Sequence, residues 1–264
     1  MTDGEIEDIL LNATPIGRGI GGPVSSLLIG NSKIFVKRIH LADVERQPNN
    51  HRATRNNFNL PVCYQYGVGS AGFGSWRELL AHELTTSWVL EKRTPNFPVL
   101  FHSRILPRSK REPIDLAYYK GLDGYVSYWN ESQEIRERIT AINDSTADIV
   151  LFLEFFEQTL DQWLISQRNL GTDFFLSALE NFETGLISSS KFLRANEMIH
   201  FDGHPKNILV SEGQLHFSDF GLATSSKFSL SSEELEFFKA HQIIYLNGPS
   251  SSGKTTLAKA LQNA

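Results

Sequence analysis

A chain of 264 residues with 41% hydrophobic side chains can bury a core of domain size, which excludes wholesale disorder and leaves room for one large domain or two small ones. Its net charge of -5 gives no global attraction to nucleic acid or anionic lipid, so no nucleic-acid partner is expected and any polyanion site must be local. The one cysteine, Cys63, excludes an internal disulfide. The opening segment, MTDGEIEDILLNATP, is acidic and lacks the basic and apolar regions of a secretory signal. From Ile16, a glycine-rich turn, an apolar run at 24–29, a Gly30-Asn31 turn and KIFVKRI predict a β-hairpin with Lys37 on its second strand. Residues 38–59, polar and basic, read as a long loop, a solvated surface insertion in preference to a substrate-binding or polyanion-binding loop, and the insertion extends over about 38–74. Ser75 is placed as an N-cap with Glu78 completing a capping box, opening a helix that runs to about Glu91. The prolines of TPNFPVLFHSRILP bracket a strand, and a charged helix is expected at about 131–142. The apolar run at 149–156 is interrupted by Glu154 and too short to cross a bilayer, so it reads as a buried strand with no membrane span. These features suggest a soluble, cytoplasmic-type protein, with export by a route lacking a classical signal left open. A short helix at 160–165 follows. A long amphipathic helix is then marked by Phe175, Leu179, Phe182 and Leu186, and a hairpin by NILV and QLHF.

Four stretches carry chemistry. Gly17, Gly19 and Gly22 spell GxGxxG between two strands, where missing side chains let backbone N–H groups approach phosphate oxygens. The pattern is weak alone, because Gly67, Gly69 and Gly72 repeat it. A dinucleotide-binding turn there would need a βαβ unit, and the proline-broken sequence after the helix favours a flexible loop instead. The first copy gains from Lys37, which would hold nucleotide phosphates and needs a helix carboxylate to orient it, Glu78 by preference and Glu83 as the fallback. In HFDGHPKN, Asp202 can accept or orient the proton of an attacking hydroxyl, and Asn207 offers a neutral oxygen to a metal ion. Asp219 of DFG supplies the anionic oxygen that a hard magnesium ion prefers, and the intervening hairpin has the length to fold both ligands onto one cluster. His40, His82, His102, His216 and His241 show no metal-ligand spacing and are assigned no role.

In this order, residues 17–223 resemble the protein-kinase-like superfamily. The resemblance implies an α+β, two-lobed fold with an N-lobe over 1–148 and a reduced C-lobe over 149–240. It implies ATP and Mg2+ as cofactors, a hinge in LFLEFF where the backbone of Glu154 to Phe156 meets the adenine, and packing roles for Phe201 and Phe220. His204 and Pro205 make the catalytic loop similar to the HGDxHPxN of aminoglycoside and choline kinases, whereas DFGLA looks like a eukaryotic-type protein kinase. No APE follows, so the helical platform for a peptide is expected to be missing. The acceptor implied is a hydroxyl, with Ser/Thr of a protein slightly preferred over a small molecule; a nucleotide-binding pseudokinase is the alternative of another class. At the C-terminus, QIIYLNGPSSSGKTTLAKALQNA sets Gly248, Gly253, Lys254 and Thr255 in Walker A positions. Residues 241–264 thus resemble the beginning of a P-loop kinase domain, a single βα unit that cannot bury its own faces.

Overall fold

A strand that is apolar at nearly every position must be covered on both faces, and one such strand organises the first half of the chain. In the computed structural model, which describes residues 1–19, 21–67, 69–108 and 112–240, the chain opens with helix α1 (Asp3–Leu10) and strands β1 (Thr14–Gly19), β2 (Gly22–Ile29) and β3 (Ser32–Leu41). Helices α2 (Asp43–Arg46), α3 (Val62–Tyr66) and α4 (Ser75–Leu90) follow, then β4 (Leu100–Pro107), α5 (Leu122–Tyr128), α6 (Gln133–Asp144) and β5 (Ala147–Glu154). The five strands form one antiparallel sheet in the order β1-β2-β3-β5-β4. Side chains alternate across β5: Ile149, Leu151 and Leu153 join Trp76 and Leu79 of α4, while Val150 and Phe152 join Ile6 of α1 on the opposite face. The hairpin at Gly30-Asn31 lies where expected, with Ile29 opposite Ser32. The expected division at residue 148 falls inside β5, which continues the sheet to Glu154.

Helix α1 went unread in the sequence although its signal was present: Thr2 and Glu5 form a reciprocal capping box. The expected solvated insertion also differs. β3 runs to Leu41, and Glu45, Asn50 and Thr54 are buried. Tyr64 and Phe73 pack with Tyr125, Ile135, Ile139 and Ile142 of α5 and α6 in a separate apolar cluster. Two segments far apart in sequence therefore share one core, sealed by the Tyr64–Tyr125 hydroxyl pair at 2.7 Å. Glu45 accepts from Arg138 Nη1 at 2.8 Å, both side chains being within 2% of full burial.

The same Glu45 corrects the expected capping of α4. Gly74 occupies the N-cap with no side-chain cap bond, and Ser75 lies inside the helix. Glu45 Oε1 accepts from the Ser75 amide at 2.8 Å, and Ser75 Oγ donates to the His40 carbonyl at 2.6 Å. A carboxylate from another part of the chain thus satisfies a helix-start donor and leaves Glu78 for a different partner.

The second half holds β6 (Gln158–Thr159), α7 (Leu160–Leu170), α8 (Thr172–Ala195), β7 (Met198–Ile199), β8 (Ile208–Ser211), β9 (Gln214–Phe217), β10 (Thr224–Ser225) and α9 (Ser232–Ala240). Helix α7 is longer than expected, and the β8–β9 hairpin stands as expected. Leu186 and Leu193 of α8 pack with Trp88 of α4, Phe217 and Phe220 in the largest buried cluster. Among the described residues no helix is long and apolar enough to cross a membrane. The expected P-loop unit, with Gly248, Gly253, Lys254 and Thr255, lies outside the described residues.

Removing the cation from the buried Arg138–Glu45 pair leaves a stranded carboxylate, so Arg138→Met is expected to lower the unfolding free energy by about 3–5 kcal/mol. Urea denaturation reads the change, and a loss below about 1 kcal/mol would show that Glu45 finds other compensation.

Candidate functional site

Lys37 sits mid-strand in β3, opposite Val24 of β2 and Leu151 of β5, so its backbone is fixed on both sides. Its side chain is 7% exposed, with Nζ 2.5 Å from Glu78 Oε1 and 2.9 Å from Asp219 Oδ1. Burial alone would lower the lysine's pKa; the two carboxylates overcome this and raise it, so the ammonium stays charged. Of the two acids considered for this partnership, the structure uses Glu78, whereas Glu83 pairs with Arg52 at 2.5 Å. One turn beyond Glu78, His82 is buried edge-to-face against Phe220 with ring centres 4.9 Å apart, and burial drives its pKa down to about 3.

The β1–β2 turn lies over this lysine. A Cβ on Gly21 would stand 3.5 Å from Lys37 Nζ, a position the sequence reading passed over. Gly22 has φ +127°, and a side chain there would overlap the Arg38 carbonyl, so the turn requires glycine at that point. Gly17 and Gly19 differ: a Cβ at either meets nothing closer than 3.9 Å, and Gly17 lies at a register shift in β1 outside the cavity lining.

The other half of the site is held by backbone. His200 Nδ1 accepts from the Asp202 amide at 3.3 Å, so the ring proton resides on Nε2 and is donated to the Ser218 carbonyl at 2.9 Å. Burial lowers the His200 pKa to about 4, and the neutral ring ties the 200–207 loop to the residue before Asp219. Ile208 faces Phe217 in the β8–β9 ladder, and both Ser218 N and Ser218 Oγ donate to the Asn207 carbonyl at 2.9 Å. Asn207 and Asp219 are thus brought side by side. Asn207 Nδ2 donates to Asp202 Oδ2 at 2.9 Å, which turns Oδ1 of the amide away from Asp202. Burial, then the charge of Asp219, raises the Asp202 pKa against the opposing effects of His204 and Asn207. Burial also acts to raise Asp219, but Lys37 prevails and holds it at about 2. Phe201 and Asp219 both adopt left-handed backbone, at φ +59° and +61°, a strain of about 1–3 kcal/mol each that packing must offset.

Lys37, Glu78, Asp202, Asn207 and Asp219 line one cavity of about 1300 Å3, which also reaches residues 153–159. There, the Glu154 amide donates to the Val99 carbonyl at 2.8 Å while its carboxylate accepts from the Val99 amide at 3.2 Å. Phe156 lies against His216 at 4.4 Å between ring centres. Gly69 of the second glycine triplet also lines the cavity, with Ser70, Ala71 and Gly74, and where a flexible loop is expected the glycines are closely packed. Side chains at Gly67 and Gly69 would overlap Trp129 and Tyr119, and one at Gly72, with φ +66°, would overlap the carbonyl of Gly221. Among the described residues no βαβ unit surrounds this loop.

Among the described residues no group of three or more His, Cys, Asp or Glu side chains has metal-holding geometry. The donors that remain are the Asp219 carboxylate, whose side chain keeps 44% of its surface exposed, and the Asn207 amide oxygen. That sparse, hard-oxygen set fits an oxygen-preferring divalent cation such as magnesium, completed by water and phosphate oxygens. No family model matches the sequence.

The folded pKa values of His82 and His200 lie below the ordinary 6.5, so protons bind preferentially to the unfolded chain as pH falls. Their contribution to stability is present above about pH 6.5 and is lost on descent toward pH 4 and 3, with Asp219 adding a further loss from its ordinary 3.8 down to about 2. The urea midpoint is expected to fall between pH 7 and pH 4, and less steeply in His82→Leu. Equal slopes in the two proteins would remove His82 from this account.

Proposed function

We propose that this chain is a phosphotransferase of the protein-kinase-like superfamily, a two-lobed α+β protein that carries the γ-phosphoryl group of Mg-ATP to a hydroxyl. One observation carries the reading: Lys37 bridges Glu78 and Asp219, partners 182 residues apart in the latter case, in the cavity that also receives Asp202 and Asn207. An ammonium, two oxygen donors for a divalent cation and a carboxylate of raised pKa are what in-line phosphoryl transfer asks of a protein.

In this reading Lys37 neutralises phosphate oxygens, and Glu78 keeps its ammonium directed at them. Asp219 and Asn207 would hold Mg2+, which when bound would supply charge neutralisation across the transferred group. Asp202, fixed by the Asn207 amide, orients the acceptor hydroxyl and receives its proton as the new oxygen–phosphorus bond forms and the bond from the γ-phosphorus to the β,γ-bridging oxygen breaks, releasing ADP. The backbone at 154–156, beside Val24, Phe35 and Leu209 in the cavity lining, supports the base. Ser/Thr of a protein is the acceptor that DFGLA suggests. A small hydroxylated molecule is the second reading, favoured by the loop at 69–74, whose Gly72 abuts Gly221 while Gly69, Ser70, Ala71 and Gly74 line the cavity that holds Asp219.

Asp202→Asn is expected to lower kcat by about 100-fold to 10,000-fold while nucleotide affinity stays within about twofold. Transfer from γ-labelled ATP to protein mixtures and to a panel of small hydroxyl compounds, with nucleotide binding measured by calorimetry, checks this. A parent protein that binds Mg-ATP yet labels neither set would instead support a nucleotide-binding scaffold.

A further inference from the structure

The chain beyond Asp219 is held in place by polar and aromatic side chains contributed by the 54–77 segment. Gln65, on α3 and 3% exposed, donates through Nε2 to the carbonyls of Leu222 at 2.8 Å and Ala223 at 3.2 Å. Gly72 packs on the Gly221 carbonyl. Thr54 Oγ1 accepts from the Ser229 amide at 2.8 Å. Arg77, in the first turn of α4 beside Glu78, pairs with Glu234 of α9 at 2.7 Å, both side chains within 4% of full burial. Tyr66 stacks on Phe237 with ring centres 4.4 Å apart, and both rings approach Phe201, which precedes Asp202. The segment therefore grips three points: the residues directly after Asp219, the stretch from Ser229 into α9, and the loop carrying Asp202.

We infer that Gln65 is a positioning residue: by binding the carbonyls of Leu222 and Ala223, it presets the left-handed Asp219 so that its carboxylate is placed for magnesium. The inference rests on the proposed phosphotransferase reading. A carboxylate held at φ +61° two residues before a glycine has neighbouring conformations available, and the strain there persists only where surrounding bonds oppose relaxation. Two buried carbonyls that lose their shared donor favour such relaxation, because each regains a partner only by moving. Lys37 alone does not fix the loop, since it grips one carboxylate oxygen and not the backbone. Arg77 complements this by tying α4 to α9, which keeps Glu78 and the post-Asp219 chain in one register.

Gln65→Met keeps the side-chain length and removes the donor. Calorimetric titration of ADP is compared in excess Mg2+ and in EDTA, for the parent and the variant. The expected result is a loss of about tenfold in affinity with Mg2+ and less than twofold without it. Thr54→Val, a near-isosteric change farther along the same grip, is expected to move the same ratio in the same direction by a smaller factor, and serves if Gln65→Met does not fold. Equal losses with and without Mg2+, or no loss, would overturn the inference by reducing Gln65 to a residue of general packing. A parent protein whose ADP affinity is indifferent to Mg2+ would overturn the phosphotransferase reading itself, so the two failures are distinct.

Discussion

A buried ammonium held between two carboxylates is stable only as a complete set, and the Lys37–Glu78–Asp219 trio is the constraint on which the arrangement of the chain turns. Each member arrives from a different element: a central strand, a helix and the loop after a hairpin. Removing the lysine leaves two like charges facing one another, and removing either acid leaves the lysine incompletely compensated. The rest of the fold can be understood as supplying these three groups at the right point. Pairing of β3 with β2 and β5 fixes Lys37; Glu45 takes over the start of α4, so that Glu78 is free to turn inward; the β8–β9 ladder sets Asp219 beside Asn207.

What the sequence displayed best were features whose physics is local. Tight turns and short apolar runs operate over a few residues, and the two hairpins and the buried strand lie where the sequence puts them, the strand to within two residues. The errors came from partners remote in the chain. Ser75 looked like a cap because nothing nearby indicated that Glu45, thirty positions earlier, would accept from its amide. The stretch around Glu45, Asn50 and Thr54 looked solvated because its polar side chains give no hint of burial until Arg138 and Ser229 are brought to them. Glycine patterns were the least reliable guide. Of the triplet at 17, 19 and 22, the backbone demands glycine at Gly22, while the second triplet owes its small residues to Trp129, Tyr119 and Gly221.

The histidines illustrate how burial assigns a task that spacing cannot. None has a ligand pattern, yet His200 in its neutral form is both acceptor and donor, and so joins two loops that each present a site residue. Protonation would convert the Nδ1 acceptor into a donor facing another N–H, so the low pKa and the geometry support one another. Strain at Phe201 and Asp219 lies next to these same bonds, which is where an over-determined backbone can hold it.

The central sheet has a consequence for how the molecule assembles. β3 and β5 are neighbours in space, yet the chain between Leu41 and Ala147 contains α2 to α6, β4 and a separate aromatic cluster. Closing that loop carries its entropic penalty before the central ladder returns any stabilisation, whereas the β2–β3 hairpin and the α7–α8 pair are joined by short connections. Nascent molecules would therefore gain their local pieces early and the central strand pair late. Until β5 docks, the exposed edge of β3 is open to pairing with another chain, which makes crowded synthesis the moment of greatest risk.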